Sequence, residues 1–298
     1  MTTDTLHHPT PEFREYLEGE VVRGFRRDRT AQRLRGLAIV VAALTVGATA
    51  GLAPAQIRQG AQRDSLLQSA TADMALAATR LEIARAQHTD VSNKVKVGVL
   101  LSSSLSAAEA ELRAMEAAAM RAQLNVEEIK ATAIPPRDDL NAPLVGARDF
   151  VTQRIQLDLA VAQGRLTAAE AVLAEADRRV RVGAGSELAR LDAELEVTRA
   201  RAALGIAAER RKLRQEFVER ETPAEQLASR LQHQQLRLDA MVGETAVRVA
   251  RQRLDLITRQ RAVGMVGEVE QLKAELELKE REMELLSIAR QLKQFRGR

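Results

Sequence analysis

Cysteine and tryptophan are absent from the 298 residues, and the aromatic complement is one tyrosine and five phenylalanines. Without cysteine there are no disulfides and no thiolate metal sites. So few rings leave little bulk for a thick globular core and nothing interleaved to stack on nucleic-acid bases. An excess of one charge is missing as well: 45 basic residues against 41 acidic ones give a net charge of +4, finely mixed along the chain. That is the surface of solvated, salt-bridged helices, not a nucleic-acid stripe. Histidine is scarce. His7 and His8 lie in a polar start, and His88 and His233 stand alone among polar neighbours, so no HExxH pair or His/Cys cluster exists. Glycines form neither a GxGxxG nor a GxxxxGKS/T pattern, which removes the usual nucleotide sites. Glu109, Glu111, Glu194 and Glu275 recur in helical positions where the flanking charges of a coiled coil belong. The sequence therefore indicates no enzyme, no cofactor, no metal and no small-molecule substrate.

What the chain does contain is a repeat. Lys96-Val97-Gly98 is followed by Leu105, Ala108 and Leu112; Arg181-Val182-Gly183 by Leu188, Leu191 and Leu195; Ala262-Val263-Gly264 by Val269, Leu272 and Leu276. An apolar or small residue also stands seventeen, fourteen and seven places ahead of each glycine, as Leu81, Ala84 and Val91 do in the first copy. Apolar residues three and four apart share one helix face, and a glycine between two such helices is a point where a chain reverses. The pattern predicts three helical hairpins, each bent at a Val-Gly tip.

Residues 1–35 read as a short cytoplasmic segment, amphipathic from Phe13 to Phe25 and rich in arginine. Residues 36–57 carry no charge and span ~33 Å as a helix, enough to cross a hydrocarbon core. Six arginines between Arg23 and Arg35 precede this segment, whereas Arg58 and Arg63 follow it. The positive-inside bias then places the N-terminus in the cytoplasm and the hairpins on the far side. Ala53-Pro54-Ala55 before Gln56 has the form of a signal-peptidase site, so a retained anchor and a cleaved signal both remain open.

The expected fold is all-α: one N-terminal transmembrane helix followed by three long antiparallel hairpins, packed as a coiled-coil-like bundle. Hairpin 1 covers 58–134, a linker 135–147, hairpin 2 148–220 and hairpin 3 221–298. Ile134-Pro135-Pro136 ends the first hairpin, since proline removes a donor and clashes with the preceding turn. Ser102, Ser103 and Ser104 are expected to cap a descending helix from Leu105, and Thr222 to cap one beginning at Pro223. Gly243 marks a possible bend, and Leu272, Leu276, Met283 and Leu286 are expected on the buried side of the last helix.

At its tips the chain resembles the TolC-type outer-membrane efflux proteins, whose hairpins carry a Val-Gly turn followed by an apolar, a small and a large residue seven, ten and fourteen places on. Gly98, Leu105, Ala108 and Leu112 match that spacing; the second and third copies match it with the turn shortened by two residues. The resemblance covers roughly 40 residues around each tip. It implies docking through the tips, at Val97, Gly98, Val182, Gly183, Val263 and Gly264, within an efflux or transport assembly. No segment supplies the strands of a barrel, and the family lacks a membrane anchor of this kind. In topology the chain is closer to the adaptors of tripartite pumps.

The resulting expectation is a non-enzymatic bacterial inner-membrane protein with most of its chain in the periplasm, docking a protein partner through its hairpins and open to homo-oligomerisation, with no nucleic acid bound. The alternative is a single-pass regulator, its N-terminal segment holding a cytoplasmic factor in an anti-sigma-like manner. N-terminal sequencing of the membrane-fraction protein separates the two fates of residues 36–57. A start before residue 36 is expected for an anchor, and a start at Gln56 would remove both the anchor and the regulator.

Overall fold

Long runs of Ala, Leu, Glu, Arg and Gln favour helix at nearly every position. The computed structural model of the protein describes residues 55–220 and 222–296, and these residues form six helices. They are α1 (Ala55–Lys96), α2 (Ser102–Thr132), α3 (Phe150–Arg181), α4 (Glu187–Val218), α5 (Ala224–Ala262) and α6 (Glu268–Arg296). At ~1.5 Å per residue they extend roughly 45 to 60 Å. No strand occurs among the described residues, where an isolated bridge joins Val145 and Arg148. The cytoplasmic segment 1–35 and all but the last three residues of the expected span lie outside the described residues. Among the described residues no helix is long and apolar enough to cross a membrane.

Short turns at residues 97–101, 182–186 and 263–267 join the helices of each hairpin. Residues 133–149 and 219–223 join one hairpin to the next at the opposite end, called the base here. The packing is serial. Among α2 to α6, only helices consecutive in the chain pack on each other. The first pair meets where Leu66, Leu67, Ala70 and Met74 of α1 contact Val126 and Ile129 of α2. Leu166, Ala169 and Leu173 of α3 face Val197, Ala200 and Leu204 of α4. Between hairpins, Leu191 and Leu195 of α4 pack with Val242, Ala246 and Val249 of α5. A helix placed between two neighbours needs two apolar stripes on opposite sides. The upstream positions of the repeat lie on the stripe facing into the hairpin: Ala84, Leu166, Ala169, Val247 and Ala250 are all buried.

Charged side chains on the central helices tie both neighbours at once. Asp158 of α3 accepts from Arg121 of α2 at 2.6 Å and from Arg210 of α4 at 3.1 Å. Arg253 of α5 reaches Glu277 of α6 at 2.9 Å and also pairs with Asp192 of α4.

Several sequence expectations change here. The three turns are equal in length, because α2, α4 and α6 each begin four residues past the tip glycine. The two-residue shortening is therefore an alignment slip, and two residues turn a helix by about 200°. Leu112 accordingly lies on the same face of α2 as Val126 and Ile129, toward α1, whereas Leu191 and Leu195 face the next hairpin. The serines do not cap: α2 starts at Ser102 with Leu101 as its N-cap and no side-chain bond. Thr222 does not cap either. Pro223 occupies the cap position, and the Thr222 hydroxyl instead donates to Glu216 at 2.8 Å and accepts from Arg230 at 2.9 Å. Gly243 lies within unbroken helix, where a Cβ would approach a Leu285 methyl at 3.1 Å. Leu272, Leu276, Met283 and Leu286 are exposed, not buried, because α6 has no helix on that side.

The base linker is held by two arginines that are almost completely buried. Arg154 donates to the Asn125 side chain at 3.1 Å and to the Arg137 carbonyl at 2.9 Å, and it pairs with buried Glu128. Arg214 grips the Asp149 carboxylate with both arms of its fork at 2.9 Å and donates to the carbonyls of Leu140 and Ala142. Asp149 also caps α3, accepting from the Thr152 amide at 3.0 Å. Burial pushes the Asp149 carboxyl up, but the Arg214 fork and the Thr152 donors outweigh it and hold the group below its ordinary value. A carboxyl lowered in this way stabilises the fold above its ordinary value of 3.8, and the contribution fades as pH falls below that value and through the lowered one. Arg214→Met is expected to cost ~3 kcal/mol in denaturant unfolding, since it leaves the Asp149 carboxylate without its cation. The stability difference between wild type and Asp149→Asn should shrink as pH is lowered from ~5 to ~2; a difference that stays constant across that range would contradict the role given to Asp149.

Candidate functional site

Each tip is built by one hydrogen-bond pattern. The Gly98 amide donates to the Val95 carbonyl at 3.0 Å and the Val99 amide to the Lys94 carbonyl at 2.8 Å. Gly183 and Ala184 repeat these bonds to Val180 and Arg179, and Gly264 and Met265 repeat them to Arg261 and Gln260. This is the Schellman end of a helix, in which the glycine takes a left-handed conformation and the next amide reaches back five residues. The glycines have φ of 75°, 71° and 75°. A Cβ at any of the three would meet nothing within 4 Å, so backbone conformation alone demands glycine there.

The same requirement does not extend to the valines. Val97, Val182 and Val263 are 74, 77 and 71% exposed, each at the last position before the glycine, where the turn makes no use of the side chain. A Schellman end often packs the residue after the glycine on the helix's last turn. Here the residues it would meet are Lys94, Arg179 and Gln260, which are polar. Val99 and Met265 are accordingly left exposed, as is Leu101. The tips thus carry a cluster of large apolar side chains with no internal packing role. The sequence reading found the valines and missed Val99 and Met265, whose signal was their place directly after the glycine.

Cations surround these side chains: Lys94 and Lys96, Arg178, Arg179 and Arg181, and Arg259 and Arg261 occupy the last turns of α1, α3 and α5. They have a structural reason, because a positive charge is favoured at a helix C-terminus. Some are also neutralised locally, Lys94 by Asp90 at 2.7 Å and Arg178 by Glu175. The structure brings the six candidate residues to one end of the row. It assigns the glycines to the turn and leaves the valines exposed.

Elsewhere the described residues show no group of three or more His, Asp or Glu side chains placed to hold a metal ion. The depressions between helices are open grooves, one of them lined mainly by Ala107, Ala110, Ala168, Ala169, Ala200 and Ala203. In comparisons with known proteins, no family model, no curated protein and no solved structure matches this chain.

Glycine and valine should separate in a stability measurement. Gly183→Ala is expected to cost ~1 kcal/mol through its positive φ. Val182→Ser should change unfolding by no more than ~0.5 kcal/mol, as for an exposed side chain without contacts. A large loss in Val182→Ser would mean that the valine serves the fold.

Proposed function

We propose that the protein is a non-enzymatic helical-hairpin adaptor of a bacterial envelope, held in the inner membrane by residues 36–57 with the hairpins in the periplasm. Its tips dock a protein partner within an export assembly of the TolC-like efflux kind. The observation that carries this reading is the triplicate exposure of Val97, Val182 and Val263 on turns that need only the glycine. Their neighbours Val99 and Met265 enlarge the same surface. Such side chains lose water contact on entering the grooves between a partner's helices, and full burial of one contributes ~1.5 kcal/mol or more. Three copies in a row multiply that gain over a single extended contact.

The anchor and its orientation rest on the uncharged run at 36–57 and on the arginines ahead of it. The efflux setting rests on the likeness of the tips to TolC-type hairpins.

The test replaces Val182 and Val263 together by aspartate in the full chain, expressed in a bacterial host and captured from solubilised envelopes. Loss of co-purifying envelope proteins, with helicity by circular dichroism unchanged, is the expected result. Undiminished capture would reject docking through the tips.

A further inference from the structure

Counting from the tip glycines shows that the interface between hairpins is itself repeated. Arg121 and Asp158 lie 23 places past Gly98 and 25 ahead of Gly183, and they form an ion pair. Glu194 and Arg248 lie 11 past Gly183 and 16 ahead of Gly264, and they pair as well. The contacts of Arg113 with Gly164 and of Gly205 with Leu238 follow the same rule. In these four contacts a residue on a descending helix meets one that stands between two and five places further from the next tip.

The outer face of each descending helix therefore has equivalent positions in all three hairpins, and two of the three are covered. Twelve places past the glycine, Ala110 is 8% exposed and Leu195 9%, but Leu276 is 57% exposed. Nineteen places past it, Ala117 and Ala202 are buried, but Met283 is exposed. Eight places past it, Leu191 is buried and Leu272 is exposed. The outer face of the ascending helices shows the converse. Fifteen places ahead of the glycine, Val249 is 3% exposed and Ile83 is 53%. Twenty-two places ahead, Val242 packs against hairpin 2, whereas Leu76 is exposed. The first and last helices thus carry the two halves of an interface that the chain already forms internally.

We infer that α6 of one copy docks on α1 of a second copy, antiparallel and with all tips level, as α4 docks on α5. The occupant follows from the repeat. What covers Leu272, Leu276 and Met283 must be a rising helix with large apolar residues fifteen and twenty-two places ahead of its tip, and α1 is such a helix. The register pairs Leu276 with Ile83 and Met283 with Leu76. Because the two faces differ, the contact is head-to-tail and extends the row into a ring or an open array. One position departs from the template: Glu82 stands where Arg248 meets Glu194, and would face Glu275 across the new interface.

The absence of cysteine from the chain makes the test direct. Full-length Ile83→Cys and Leu276→Cys chains are co-expressed in membranes with distinguishable tags and oxidised. A disulfide-linked pair carrying both tags is expected, and neither variant alone should link. Leu272→Asp in the Leu276→Cys chain should abolish the link, and Glu82→Arg in the Ile83→Cys chain should increase it. All of these side chains are exposed in the single chain, so its fold is left intact. No link, efficient linking of either single variant with itself, or insensitivity to Leu272→Asp would overturn the proposal. So would a disulfide closing within one chain when both cysteines are present. Val182→Asp with Val263→Asp should leave the link unchanged, which separates this contact from docking through the tips.

Discussion

Each helix that lies between two others in this row is a thin rod that must bury two stripes on opposite sides. With Ala and Leu as the main apolar residues, neighbours approach closely but share only a narrow strip. Stability then accumulates along length, through α helices of roughly 45 to 60 Å, and not through a thick centre. Small residues set the approach: Gly164 lies against Ala110 and Arg113, and Gly205 against Leu238. Larger side chains there would push the rods apart and weaken the strip on both sides of the helix at once.

The two ends of the row meet the problem of chain reversal differently. At the tips a single left-handed glycine closes the helix and the descending helix begins four residues later. Little chain has to be supported, and the side chains point outward. At the base, residues 133–149 wander for much longer and place many backbone carbonyls beside the helices. Arg154 and Arg214 satisfy several of these carbonyls and are themselves satisfied by Glu128 and Asp149. Buried charges are tolerated there because each is paired and hydrogen-bonded. The division leaves one end with its polar groups paired and the other with apolar side chains exposed.

Much of this arrangement was legible in the sequence, for identifiable reasons. The helices and their tips could be read because Gly98, Gly183 and Gly264 each interrupt an apolar period that resumes beyond them. The stripe facing into each hairpin could be read from the residues ahead of the glycine, such as Leu166 and Ala169. The stripe facing the next hairpin was misread. Both stripes use the same Ala, Glu and Leu vocabulary, so a match by residue type slid the first copy by two positions and exchanged one face for the other. Treating Leu272 and Leu276 as buried followed from assuming that an apolar stripe always has a cover. Arg214 gave no signal, because its partner Asp149 is 65 residues away in the chain and arginine is common throughout. The apolar tips were half legible: the valines stood out by repetition, but only the turn geometry shows that the fold has no use for them.

Serial packing has an evolutionary consequence. A structure in which each element touches only its neighbours can gain or lose a hairpin without disturbing those that remain, since the new unit meets the old one through a face already in use. Gene duplication and unequal exchange can lengthen such a molecule in steps of about eighty residues, much as links are added to a chain.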